Sequence, residues 1–351
     1  MKHAVLALML FAIPASLLAQ GPLAPPGAPA PTMKTLQQIE PRTAITSAPY
    51  TISSSGSYYL TTNITVSSGS AITIATNGVT LDLNGFTITG TGSANTGILL
   101  ASAVGNTDIT ILNGHITGGL FQTFVNGISY SGPTPFNVHV SGVSVSQCGG
   151  YGIYLGTQNS TVVDACTVWV VGSYGLEACT VTRSTAYICG LDAITATVAS
   201  ECYGESSTGN GFTVSQTAAN CYGQCGGSGV GVSANVANNC YGLSSGGVGV
   251  SANIANNCYG YSSASGEGLS ANIANNCYGQ CNGSGDGLYA GQITTGCFGQ
   301  STSGYGLYVS QIAIGCFGQS SSGTGLRANI ANSCVGIGTP TNSVIHAYNM
   351  P

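Results

Sequence analysis

Eight cysteines, Cys202, Cys221, Cys240, Cys258, Cys277, Cys297, Cys316 and Cys334, recur at spacings of 18 to 20 residues. Most open the same tripeptide: Cys-Tyr-Gly at Cys221, Cys240, Cys258 and Cys277 gives way to Cys-Phe-Gly at Cys297 and Cys316, and Val335 replaces the aromatic after Cys334. From Cys221 onward a Gly-x-Gly ends nine or ten residues before each cysteine, followed by an alternating segment such as Val250-Ser251-Ala252. Each unit therefore holds two short strand-like pieces separated by turn residues. One such unit cannot bury its apolar side alone, whereas stacked copies can. Helical-hairpin repeats need about 33 residues or more, and the leucine signature of horseshoe repeats is missing. A β-helical solenoid is the architecture that fits.

Upstream, Gly78-Val79-Thr80-Leu81-Asp82-Leu83-Asn84-Gly85-Phe86-Thr87-Ile88 and Asp108-Ile109-Thr110-Ile111-Leu112-Asn113-Gly114-His115-Ile116 carry the same period-2 alternation, with their Asn-Gly pairs 29 residues apart. Together with Gly152-Ile153-Tyr154-Leu155, these strands give a chain that resembles the parallel β-helix proteins of the pectin-lyase-like superfamily over roughly Ile45 to Gly338. The resemblance implies an all-β fold, a right-handed single-stranded parallel β-helix with a short N-terminal capping segment. Roughly 13 coils at about 4.8 Å each would span on the order of 60 Å. It implies little about chemistry, because one fold hosts many functions.

The chain ends read differently. Residues 1–20 form a secretory leader, with Lys2, the apolar run Ala4 to Ile13 and a cut near Ala19. Residues 21–34 make a Pro/Gly-rich linker, 35–44 an N-terminal cap with Leu36 and Ile39 on its apolar side, 45–338 the β-helix with 18–20-residue coils from about 184, and 339–351 a C-terminal tail or cap. The expected location is secreted or at the cell surface, with no membrane span. Charged residues make up 4% of the 351, against about 25% in ordinary domains, and the formal net charge is −5. So few lysines and arginines exclude a phosphate-binding footprint, and nucleic acid is not an expected partner.

Equivalent residues of stacked coils form columns. Cysteine and the following tyrosine must point to opposite sides of a strand, so the thiols are expected inside and the aromatics along one outer side. Two states of the thiols stay open: a reduced buried stack, favoured because in-register strands rarely orient both side chains for a bond, and inter-coil disulfides, which export permits. A line of cysteines makes a poor tetrahedron, so a metal is not expected there. Cys225 and Cys281 occupy places where other repeats have serine. Asn220, Asn239, Asn257 and Asn276 just before the cysteine, and Asn235, Asn253, Asn272 and Asn329 in the preceding turn, are expected to hydrogen-bond along the axis. Arg183 and Glu201, one coil apart, read as an inter-coil ion pair.

Enzymatic motifs are sparse. The polygalacturonases that share the expected fold use an Asn-Thr-Asp, an Asp-Asp, a Gly-His-Gly and an Arg-x-Lys; this chain has Asn106-Thr107-Asp108 and Gly114-His115 but neither an Asp-Asp nor an Arg-x-Lys. His115, His139 and His346 lie in ordinary contexts, and no acidic cluster of the lyase kind occurs with an arginine. No catalytic residue is assigned. The best candidate site lies in the last coils, where the Gly-x-Gly column reads Asn210, Val230, Val248, Glu267, Asp286, Tyr305, Thr324 and a second column three residues on reads Tyr289, Tyr308, Arg327. Carboxylates beside aromatics and a guanidinium suit a polysaccharide or cell-surface glycan, and Glu267 with Asp286 suits Ca²⁺. Two function classes follow: a secreted surface, adhesion or matrix protein that binds polysaccharide, or a divergent polysaccharide lyase or glycoside hydrolase. Ice binding is a third, disfavoured because the turn column is mostly serine (Ser206, Ser244, Ser262, Ser301, Ser320), interrupted by Cys225 and Cys281.

Overall fold

The computed structural model describes residues 41–120, 122–339 and 343–350. The expected leader, the linker and residues 35–40 of the expected cap lie outside the described residues. From Thr43 onward the chain is a parallel β-solenoid of about 16 turns, with no helix among the described residues and hence none long and apolar enough to cross a membrane. Sixteen turns exceed the 13 expected, in part because the ladder runs on through Ser343–Tyr348, past the expected end at 338. Thr43–Ile45, placed at the cap boundary, is already a strand and pairs in parallel with Gly56–Leu60, Ile45 opposite Leu60. The 18-residue period also begins earlier than 184, since Val163 pairs with Val181. At the other end Ser343–Tyr348, expected in the tail or cap, pairs with Leu326–Asn332 and continues the ladder. At about 4.8 Å per turn the solenoid runs roughly 70 Å.

One coil explains the rest. Leu269–Asn275 forms a strand in which Leu269, Ala271 and Ala274 are buried while Asn272 and Ile273, two residues in succession, face out. That break in alternation bends the strand, so each coil has a first face (Leu269–Ala271), a second (Ile273–Asn275) and, after a corner, a third (Tyr278–Cys281). The corner is Asn276, with φ 51°. The same left-handed corner recurs at Asn84, Asn113, Gly142, Ala165, Arg183, Glu201, Asn220, Asn239, Asn257, Gly296, Gly315 and Ser333. Asparagine and glycine dominate because they adopt this conformation at least cost.

The glycines of the two repeat motifs have one shared cause. A Cβ on Gly279, from Cys-Tyr-Gly, would lie 2.1 Å from the carbonyl oxygen of Gly287, from Gly-x-Gly. Backbones of the third face and the following turn touch here, and only hydrogen fits between them. The core is correspondingly thin, a line of Leu, Ala, Cys and Ser. Cys202 to Cys334 are all free and at most 4% exposed, as the inward assignment required. Each thiol is held by carbonyls, as Cys258 Sγ is by Ala237 O and Asn256 O, both at 3.3 Å. The second inward column of the third face contains Cys148, Val171, Cys189, Ser206, Cys225, Ser244, Ser262, Cys281, Ser301 and Ser320. The serines are therefore interior residues and not a surface turn array. The hydroxyls of Ser206, Ser244, Ser301 and Ser320 donate to turn carbonyls, as Ser244 does to Gly229 O at 2.6 Å, while Ser262 Oγ is buried without a partner among the described residues.

Each expected asparagine column closes at one step among the described residues, with Asn239 Nδ2 donating to Asn220 Oδ1 at 3.2 Å and Asn272 Nδ2 to Asn253 Oδ1 at 2.8 Å. Asn235, Asn253 and Asn272 lie at the bend inside a strand, not in a turn. A third ladder, Asn238, Asn256 and Asn275, closes at 2.9 Å per step.

Candidate functional site

The Gly-x-Gly residues occupy the turn that leads into the first face, and the second column continues on that face: Ser270, Tyr289, Tyr308 and Arg327 are successive register partners. The structure brings the predicted residues together. Tyr289 and Tyr308 meet edge to face at 5.2 Å between centroids, and Tyr305 lies 5.3 Å from Tyr308. Arg327 reaches across both rings, its Cζ 4.8 Å from the Tyr308 centroid, and Nη1 donates to the Tyr305 hydroxyl at 2.9 Å. Asp286 Oδ1 accepts the Tyr305 backbone N–H at 2.9 Å. Burial drives the Asp286 carboxyl up to about 6, and the Glu267 charge acts in the same direction against the Tyr305 hydrogen bond and Arg327. A groove of about 310 Å³ beside it is lined by Ser284, Asp286, Ser303, Tyr305 and Thr324.

This cluster differs from the expected sugar platform in one respect: the rings are engaged with one another and with Arg327, so their faces are largely taken. As a cation site, Glu267 and Asp286 supply two carboxylates, and no group of three His, Cys, Asp or Glu side chains that could hold a metal occurs among the described residues.

The larger surface feature was only half legible in the sequence. On the third face Tyr203, Tyr222, Tyr241, Tyr259, Tyr278, Phe298 and Phe317 form one ladder of rings 4.5 to 5.2 Å apart. Their hydroxyls reach a parallel row of polar groups: Tyr203 donates to Glu205 Oε2 at 2.7 Å, and Tyr278 to Gln300 Oε1 at 2.9 Å. Burial raises the Tyr203 phenol, with the Glu205 hydrogen bond adding to it, and pushes that of Tyr259 up to about 12. Between this ladder and the left-handed corner runs an open groove of about 520 Å³, lined by Arg183, Glu201, Asn220 and Asn239 on one side and Tyr203, Tyr222 and Tyr241 on the other. The signal was present in Asn-Cys-Tyr. When the cysteine points in, both of its neighbours point out and flank a channel.

Arg183 corrects one expectation. Its guanidinium binds Asp164, with Nε to Oδ1 at 3.0 Å, and not Glu201. The pairing holds the Asp164 carboxyl below its ordinary range, and the left-handed corner aims the arginine back one coil. The partial polygalacturonase motif is structural: Asn106 is 2% exposed, accepts the Ser102 N–H at 2.9 Å and donates to Ile74 O and Thr76 O at 3.0 Å. Asp108 accepts from Asn137 Nδ2 at 2.7 Å. His115 and His139 face outward on neighbouring coils. No family model, no curated protein and no solved structure matches the chain.

Proposed function

We propose that the protein is a secreted or cell-surface β-solenoid of the adhesion or matrix kind that holds a polysaccharide along its axis, in the groove between the asparagine corner and the tyrosine ladder. The observation that carries this reading is the groove itself: an open channel in which one polar corner side chain (Arg183, Glu201, Asn220, Asn239) recurs once per coil, with a phenol (Tyr203, Tyr222, Tyr241) opposite it on successive coils. A polysaccharide repeats its hydroxyls along the chain, and a surface offering a donor and an acceptor at every step is complementary to it. We further place the chain with the right-handed β-helix proteins of the pectin-lyase-like superfamily, supported by the repeat length and strand type. A glycan array on the secreted protein tests the function, with Asn220→Ala and Tyr222→Ala expected to weaken whatever binds. Absence of binding to any polysaccharide would overturn it.

One observation favours a second reading, a divergent polysaccharide lyase or hydrolase. Asp286 lines a groove with Glu267 at the same repeat position one coil earlier, the paired carboxylates that glycoside hydrolysis uses, and burial raises the Asp286 carboxyl. An activity screen on polysaccharides decides it, since turnover abolished by Asp286→Asn would replace the adhesive reading.

A further inference from the structure

On the coil before Tyr203 the tyrosine column is occupied by Thr185, and the aromatic ring of that coil, Tyr187, stands one outward position further along the strand, in the row of Glu205. Tyr187 leans on Tyr203 at 6.3 Å and 40°, and the register partner of Tyr187 on the preceding coil is Trp169. Trp169 is the most open ring of that face at 45% exposed, and Tyr187 at 38%, with Ile188 at 39% beside it, is as open as Tyr241 at 37%. On the far side of Trp169 the register partners are Ser146 and then Thr117, side chains too short to cover an indole.

The backbone marks the same place. Val170 and Ile188, each directly following a platform aromatic, have φ 55°. β-Branched residues avoid the left-handed region, at a cost of order 1–3 kcal/mol each. The ladder skips a residue at Val170, passing from Trp169–Tyr187 to Val171–Cys189. An irregularity of this kind re-aims the side chains around it. Here two costly conformations on consecutive coils flank two exposed aromatic rings.

We propose that Trp169 and Tyr187, which stand on the third face beside the groove and outside its lining, are a ring-stacking platform next to the groove's first coil, taking the apolar face of a pyranose unit of an uncharged polysaccharide. This rests on the glycan reading above and adds to it the residues that stack and the class of chain. An uncharged ligand follows from the charges beside the platform and the groove. Glu201 and Glu205 are acidic, and the guanidinium of Arg183 is committed to Asp164, so an anionic chain meets repulsion without compensation.

Trp169 is the one tryptophan of the chain, so indole emission reports this platform alone. The test titrates the protein with cellohexaose, xylohexaose, mannohexaose and, as the charged comparison, hexagalacturonate, following indole emission and binding heat together. A saturable emission change with at least one neutral hexasaccharide is expected, and none with hexagalacturonate. Trp169→Ala should weaken binding about tenfold, and Trp169→Phe by much less. Binding heat that disappears in Asn220→Ala while emission stays constant and Trp169→Ala binds normally would overturn the platform and leave the groove reading standing. Tighter binding of hexagalacturonate would overturn the uncharged class. No binding of any saccharide would overturn both proposals.

Discussion

The inward thiol column makes a quantitative demand on Cys258. Its side chain is 2% exposed and lies against the carbonyl oxygens of Ala237 and Asn256, while its N–H donates to Cys277 Sγ at 3.5 Å. In Cys258→Asp a carboxylate would face two acceptors that cannot donate to it, so the group stays protonated. Keeping an aspartic acid neutral at pH 7, against an unfolded value near 3.9, costs about 1.36 × 3.1, or about 4 kcal/mol. The sign follows from the raised folded pKa: the penalty is absent below about pH 4 and grows as pH rises toward the folded value. Urea unfolding of wild type and variant at pH 4 and pH 7 checks this, with the gap between them opening only at the higher pH. Cys258→Ser serves as the size control and should cost little, because Ser184, 1% exposed, already occupies the same column between Cys166 and Cys202. Cys334→Asp should cost less than Cys258→Asp. Only the coil carrying Ser343–Tyr348 stacks beyond it, and opening that one interface releases the carboxylate to water. Equal and negligible losses for both aspartate variants at pH 7 would refute the assignment of inside and outside.

Asn257→Ala puts a Cβ-bearing residue without a polar side chain at φ 53° and should cost about 1–2 kcal/mol in unfolding free energy, whereas Asn257→Gly should be tolerated, as Gly296 and Gly315 are at the same corner. Because burial raises the Asp286 carboxyl to about 6, wild type should lose stability relative to Asp286→Asn as pH climbs from 4 to 7, on the order of 1–2 kcal/mol after allowing for partial exposure; a pH-independent difference in chemical denaturation would contradict it. Millimolar Ca²⁺ should leave the unfolding temperature of wild type unchanged. A rise that vanishes in the Glu267→Gln, Asp286→Asn double variant would instead establish that the pair binds the cation.

The candidate site shows where sequence columns succeed and where they stop. Alignment of the repeats was enough to group Asp286, Tyr305, Tyr289, Tyr308 and Arg327, because residues at one repeat position must stack. It could not say that Arg327 would lie over the tyrosine rings and occupy their faces, since that depends on the reach of a long side chain across a coil. The same limit explains Arg183. Its column neighbour was Glu201, but the corner conformation directs it to Asp164 on the other side.

Local pattern alone determined the solenoid, the inward cysteines and the outward aromatics, because a period of 18 to 20 residues with alternating polarity leaves one way to bury the apolar side. The spacing of Cys-Tyr-Gly and Gly-x-Gly was likewise visible, though not its reason, which is a backbone contact between Gly279 and Gly287 in the closed coil. Only the tertiary structure decided the number of turns, the interior place of the serine column and the groove flanked by Asn220 and Tyr222. It also decided the open platform of Trp169 and Tyr187. That pair falls in irregular coils before the repeat motif settles, and its exposure depends on which side chains the neighbouring coils place around it, a quantity that no single strand contains.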